Sequence, residues 1–397
     1  MKRHQAKLAT CLVGMVIAAA LSIPAVNSLT RASQTTGDNR VLAPKPTKPR
    51  SIDDLLKYPK QLEPWINDHF GFRDNLIELN NQLRHAFFGQ FPTIQVISGR
   101  DGRIFLSSHG TSLPEYSAIT IPCGVTPTAP ERVAGLLNGL HQSFLREGID
   151  ARIMIVPSAP IIYPEALPAW LEARCRKAAS PVESALASAQ LEAQTLNAIY
   201  YPKTEMLALK ERVAVFPKSW FHWGGAGPRE VAGLSAEHFW KIRRLEGAAI
   251  AETLNRVPSD IGHLFPGVNL TSEVEFPDHP RSGIEACLGP KCFPSLGVAA
   301  DKLQEMAFYR NAGAPHQRLI ILSDSFGRYI ASWYPRYFKE VIHFSTNSWT
   351  QLDAAEKRKF SAYIKEQAKI GHTLLLYHDG STLWNSVPGG FGADQIN

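Results

Sequence analysis

Arg318-Leu319-Ile320-Ile321-Leu322-Ser323-Asp324-Ser325-Phe326-Gly327 sets four consecutive apolar residues against an abrupt Ser-Asp-Ser and a glycine. A short apolar run bounded by polar turn formers predicts a strand buried on both faces, and the residues after Gly327 predict a helix. Ser325 then occupies a strand-to-helix turn. There its hydroxyl faces solvent, and the backbone N–H groups of the turn, around Asp324, Phe326 and Gly327, face any oxyanion that forms beside it. Two roles suit such a serine: a nucleophile, or a cap on the following helix.

Outward from this stretch, helices and short apolar runs alternate. Upstream, a helix with Val133, Leu136, Leu140 and Phe144 on one face leads into the strand Arg152 to Val156. A helix over Val182 to Ala198 precedes the run Ile199 to Tyr201, and a helix around Leu207 leads into a strand at Val213 to Phe216. Gly225 to Arg243 reads as helical and Val257 to Ala300 as loop-rich. Downstream come a helix over Tyr329 to Tyr337, a strand Val341 to Phe344, a helix Asp353 to Lys369 and a strand Thr373 to Tyr377. This order predicts a three-layer α/β/α domain around a mostly parallel central sheet. Ligands of such sheets sit beyond the carboxyl ends of the strands, which are Val156, Phe216, Leu322 and Tyr377 here.

Two histidines follow such strand ends. His222 lies in Pro217-Lys-Ser-Trp-Phe-His-Trp-Gly-Gly225, and His378 stands directly before Asp379. Histidine is the usual base for a serine nucleophile because its ordinary pKa lies near neutrality. A packed, hydrogen-bonded histidine between two tryptophans is the structural alternative for His222.

The rest of the chain bounds its setting. Its 397 residues, 44% of them hydrophobic, suffice for a large core. Lys2, Arg3 and Lys7 precede an apolar stretch from Leu8 to Val26, the layout of a signal peptide or signal anchor over residues 1–28 and hence of export to the periplasm. Membrane contact is expected only through that segment. Residues 29–50, rich in Pro, Thr, Ser and Lys, read as a flexible linker, and 51–397 as the folded domain. Phe72, Leu76, Leu79, Leu83 and Phe87 recur at helical spacing over Arg73 to Phe88, and Asp101-Gly102 marks a hairpin between two extended runs. The formal charge of +6, which falls to +3 if the three N-terminal cations are cleaved away, forms no long basic run. It argues against nucleic acid and is compatible with an anionic glycan.

Apart from Cys11 in the apolar segment, the cysteines are Cys123, Cys175, Cys287 and Cys292, an even number suited to an oxidising compartment. The short loop Cys287-Leu-Gly-Pro-Lys-Cys292 favours a local disulfide, which leaves Cys123 for Cys175. A metal site is the competing reading, but neither a CxxC pair nor a compact Cys/His cluster accompanies them. No metal and no cofactor is expected.

The pairing of Trp220-Phe-His-Trp223 with the later strand-Asp-Ser-Phe turn resembles the alginate O-acetyltransferase family, whose members carry an SGNH-hydrolase-like domain. Trp65 to Arg73, Gly99 to Phe105, Val156-Pro157 with Tyr163-Pro-Glu165, and Asp260-Ile-Gly-His263 fit that family in the same order. The resemblance covers roughly Ser51 to the C-terminus. It implies Ser325 as the acyl-accepting nucleophile, His222 as its base, an acetyl donor or acetyl-carrying membrane protein, and a polysaccharide acceptor. The family's orienting aspartate, two residues before the histidine, is Trp220 here, and its glycine before Asp-Ser is Ser323. The lysine-bearing loop of the family reads Ser158-Ala-Pro160. Asp260 or Asp379 is then the replacement carboxylate, or His222 works in a dyad, or the domain no longer catalyses. A carbohydrate acetylesterase and a non-catalytic glycan-binding scaffold of an exopolysaccharide assembly are the alternative functions.

Overall fold

In the strands of the central sheet, neighbouring residues serve opposite faces. Met154 and Val156, Leu319 and Ile321, and Leu374 and Leu376 join one buried cluster, while Ile153 and Ile155, Ile320 and Leu322, and Leu375 and Tyr377 join another. That alternation is the two-residue period of a strand, and apolar residues on both sides require cover on both. The helices Pro130–Arg146 and Ala354–Ala368 cover the second face, and Ala226–Trp240 with Gly327–Ala331 covers the first. The computed structural model describes residues 14, 18, 43–69, 72–245 and 250–383. The N-terminal apolar stretch, except Gly14 and Ala18, and most of the proposed linker lie outside the described residues. Among the described residues no helix is long and apolar enough to cross a membrane.

The strands are β1 (Val96–Ser98), β2 (Ile104–Leu106), β3 (Ala151–Val156), β4 (Ile199–Tyr200), β5 (Glu252–Pro258), β6 (Thr271–Pro277), β7 (Glu285–Leu288), β8 (Met306–Arg310), β9 (His316–Ser323), β10 (Phe338–Ser345) and β11 (His372–His378). The seven-stranded sheet runs β4-β3-β11-β9-β10-β8-β7. Its β4 to β10 side is parallel, but β8 runs antiparallel to β10 and β7 antiparallel to β8. The sheet is therefore mixed, not mostly parallel as the sequence pattern predicts. The cause lies in the connections: only residues 311–315 separate β8 from β9, too few for the crossover that parallel strands need.

Three other expectations are corrected. Val213 to Phe216 forms no strand: the Val215 N–H donates to the Tyr163 hydroxyl at 3.0 Å, and the Phe216 carbonyl accepts from buried Arg103 at 3.1 Å. With those backbone groups satisfied by side chains, the segment has no call on a neighbouring strand. The predicted helix over 182–198 breaks into Pro181–Leu186 and Ala193–Leu196, because Asn138 binds the Gln190 carbonyl and the Glu192 N–H between them. The helix after Ser325 stops at Ala331, and a 3-10 turn over Tyr334–Arg336 with Pro335 inside replaces its continuation.

Packing divides the chain into two compact units, one up to Gly89 with Phe265–Val268, the other Gln90–Leu264 with Asn269 onward. The first contains the helices Ile52–His69 and Arg73–Phe88. In it, the Asn81 amide donates to the Pro266 carbonyl at 3.0 Å, and Gly267, at φ +88°, lies where a Cβ would meet the Glu78 backbone at 2.6 Å. The second contains the mixed sheet and every residue discussed below. Within it, the β5–β6 hairpin occupies part of the stretch that reads as loop-rich in the sequence.

Candidate active site

β9 ends at Ser323, and the chain turns through Asp324, Ser325 and Phe326 into the helix Gly327–Ala331. Asp324 organises that turn from beneath. Its Oδ1 accepts the Phe326 N–H at 2.9 Å, and its Oδ2 accepts the His378 N–H at 2.8 Å and the Ser381 hydroxyl at 2.6 Å. The His378 Nδ1 lies 2.7 Å from the same oxygen. Burial opposes ionisation here, but His378 and these hydrogen bonds outweigh it and hold the Asp324 carboxyl below its ordinary pKa. Gly327 leaves no room for a side chain, since a Cβ would sit 1.9 Å from Ser323 Oγ.

The turn corrects one expectation about oxyanion donors. The Phe326 N–H is taken by the Asp324 side chain and the Gly327 N–H by the Asp324 carbonyl at 3.1 Å. Asp324 itself faces the interior. Among the described residues, the Ser325 N–H is the donor of this turn with no acceptor.

His222 comes from a loop fastened at both ends. Upstream, Arg103 holds the Phe216 carbonyl and lies 3.7 Å over the Tyr163 ring. Downstream, Gly225 has φ +65°, and a Cβ there would meet Glu275 at 2.3 Å; Glu275 also accepts the Ala226 N–H at the start of the helix. Between these anchors the indole of buried Trp223 donates to the Phe326 carbonyl at 2.8 Å, tying the histidine turn to the serine turn. Trp220 donates its indole N–H to the Pro258 carbonyl at 2.9 Å, so the residue standing where the family resemblance expects an aspartate grips the β5 end instead.

That grip brings in the carboxylate. Asp260, just past β5, accepts the Phe221 N–H through Oδ1 and the His222 N–H through Oδ2, each at 2.9 Å. Oδ2 also lies 2.6 Å from His222 Nδ1, and His222 Nε2 lies 2.8 Å from Ser325 Oγ. Asp260, His222 and Ser325 thus form a continuous relay. Phe326 and Tyr329 flank the imidazole, with ring centroids 5.1 and 5.2 Å away.

Asp379 is not part of it. Its carboxylate accepts the Ser158 N–H at 3.0 Å and the Gly380 N–H at 2.7 Å, at the end of β3. Burial, opposed by His378 and these bonds, raises its pKa. His378, the second histidine that follows a strand end, is not the partner of Ser325; it belongs to the support beneath the serine turn, where it bonds Asp324 and stacks on Phe326 at 4.6 Å. Its partner Ser381 escapes sequence reading altogether; the one signal available is that a His-Asp-Gly-Ser run follows a buried strand. Disulfides join Cys123 to Cys175 and Cys287 to Cys292, with Cα separations of 5.3 and 5.8 Å. Such bonds belong to an oxidising, extracytoplasmic compartment.

An α/β scaffold here presents a serine at the carboxyl end of a buried strand, within hydrogen-bond reach of a carboxylate-held histidine, the arrangement that nucleophilic catalysis by serine requires. No protein-family model matches the chain, and no curated protein matches it. Solved structures do. The O-acetyltransferase domain of Pseudomonas putida AlgJ is 15% identical over 76% of this chain and 96% of that one, with a TM-score of 0.42. A DHHW family protein from Eubacterium siraeum is 14% identical over 64% of this chain and 85% of its own, with a TM-score of 0.44. Bacillus cereus PatB1, solved with a sulfonyl adduct, is 15% identical over 64% of this chain and 89% of its own, also with a TM-score of 0.44.

Proposed function

We propose that the chain is an exported, periplasmic polysaccharide O-acetyltransferase in which Ser325 carries the acetyl group between donor and glycan. The observation that carries this reading is the relay from Ser325 Oγ through His222 to Asp260, with contacts of 2.8 and 2.6 Å. In the first half-reaction His222 Nε2 takes the Ser325 proton while Oγ bonds to the acetyl carbon of the donor. The tetrahedral oxyanion faces the Ser325 N–H, and His222 returns the proton to the leaving group as the donor bond breaks. In the second half, a sugar hydroxyl gives its proton to Nε2 and attacks the acetyl-serine, and Ser325 leaves with that proton. Asp260 fixes the imidazole and stabilises its cationic form.

Trp220 in place of the family aspartate is the feature that favours a non-catalytic scaffold. Asp260 answers it, because a carboxylate from a distant segment occupies the position that the local motif lacks. A pure scaffold has no use for such a relay.

The test is intact-mass analysis after incubation with an activated acetyl ester. Wild-type protein should gain one acetyl group on Ser325, and Ser325→Ala and His222→Ala should gain none. Absence of adduct and of ester turnover in the wild type would overturn the enzymatic reading. Partition of the acetyl group between an added oligosaccharide and water then separates a transferase from an acetylesterase.

A further inference from the structure

Directly beside the relay lies a cavity of about 450 Å³, within the range of roughly 300–1,000 Å³ typical of ligand sites. It borders the segments that carry the relay: Gly225 follows His222 by three residues, and Arg328 and Tyr329 follow Ser325 on the next helix. Tyr329 is common to both, since it lines the cavity and its ring centroid lies 5.2 Å from that of His222. The opposite walls come from the end of β6 and from β7 and β8, the antiparallel part of the sheet.

The lining combines rings with hydrogen-bonding groups. Phe276, Tyr309, Tyr329 and Trp333 supply flat apolar surface, and Glu275, Glu305, Gln304 and Arg328 supply polar edges. A sugar ring, with an apolar face and hydroxyls around its rim, matches that combination.

The charges narrow the class of sugar. Arg328 is the cavity's guanidinium, and it is already engaged by Glu305 at 3.0 Å. Glu275 adds a second carboxylate. The two histidines of the lining bring no positive charge at neutral pH: burial lowers the His279 pKa below its ordinary value and lowers that of His343 to about 3. Two carboxylates against one paired guanidinium leave the cavity net negative.

We propose that this cavity is the acceptor subsite of the Ser325 centre and that it takes a glycan without acidic groups, neutral or amino-bearing, while excluding a polyuronate. The inference rests on the acyl-transfer reading above and deepens it, and it reverses what the chain's overall positive charge suggests. Bulk charge acts over the whole surface, whereas the acceptor meets the charges within a few ångströms.

The test measures binding rather than turnover. Protein carrying Ser325→Ala, which cannot be acylated, is titrated calorimetrically with a neutral β-glucan tetramer, a chitosan tetramer and an oligouronate of equal length. One of the first two should bind at least about tenfold more tightly than the oligouronate, the discrimination expected from one unscreened like charge in a partly enclosed site. Ala286→Trp, which places an indole in the cavity mouth from an exposed β7 position, should abolish that binding. Glu305→Lys should shift preference toward the oligouronate by about tenfold or more. Equal or tighter binding of the oligouronate to the unmodified cavity, or full glycan binding in the Ala286→Trp protein, would overturn the proposal. Failure of the parent reading shows separately, as absence of the Ser325 acetyl adduct in wild-type protein.

Discussion

Replacing Asp260 by Asn tests the relay most directly. The Asp260 carboxylate accepts three contacts, from the Phe221 N–H, the His222 N–H and the His222 Nδ1 side. An amide has one acceptor oxygen, so either orientation leaves an NH₂ group facing a donor. If the NH₂ faces His222, it forces the proton onto Nε2, and that nitrogen can no longer accept the Ser325 proton. If it faces Phe221, the tautomer survives but the charge opposite the imidazolium is gone. A carboxylate and an imidazolium about 4 Å apart, charge to charge, attract by about 4 kcal/mol at an effective dielectric constant of 20. At about 1.4 kcal/mol per decade that is roughly a 10³-fold loss in rate, and the tautomer loss takes it toward about 10⁴. One charge-assisted hydrogen bond is also lost, about 1.5–3 kcal/mol of stability. The assay is the burst of acylation with a chromogenic acetyl ester by stopped flow, alongside a thermal melt to verify that the variant is folded. Asp379→Asn is the comparator, since Asp379 binds the β3 end and not His222. Acylation by Asp260→Asn within about tenfold of wild type would refute the role assigned to Asp260, because the smallest of these losses exceeds that.

Three further outcomes follow from the same structure. His343 is buried with its pKa lowered from 6.5 to about 3, chiefly by desolvation; the unfolded chain therefore protonates first, and stability present above pH 6.5 declines as pH falls toward 3. Between pH 6.5 and about 5 the loss is about 2 kcal/mol, read as a lower urea midpoint, and His343→Gln should flatten that slope. Removing the Cys123–Cys175 bond, which closes a separation of 52 residues, should cost about 4 kcal/mol, against about 2 for the Cys287–Cys292 bond and its separation of 5; denaturant melts of the two double-serine variants compare them. Gly327→Ala should abolish acylation, because its Cβ would meet Ser323 Oγ at 1.9 Å. Combining it with Ser323→Gly removes that clash and should recover part of the activity in the same burst assay.

Much of this arrangement was legible before any coordinate. The strand-turn-helix at Ser325 follows from a four-residue apolar run meeting Ser-Asp-Ser, and the two-faced burial of β9 and β11 follows from runs without polar alternation. The mixed edge of the sheet was not legible: β7 lies in the stretch that reads as loop-rich, among Gly283, Gly289 and Pro290, and β8 lies just beyond it, where the sequence pattern nominated no strand. Nor was the path to His222. Val213 to Phe216 has the composition of a strand, but Arg103 and Tyr163, distant in sequence, take its backbone groups.

The residue types and their order along the chain sufficed to nominate Ser325 and His222, since a buried strand ending in a serine turn and a histidine between tryptophans are local features. The carboxylate was another matter. Two aspartates were open to the role, and local spacing offered no ground for choosing between Asp260 and Asp379. Tertiary structure chose: the β5–β6 hairpin carries Asp260 under three groups of the His222 turn, while the end of β11 turns Asp379 toward Ser158. Hydrogen bonds act over about 3 Å, and only the folded chain decides which of two distant carboxylates comes that close.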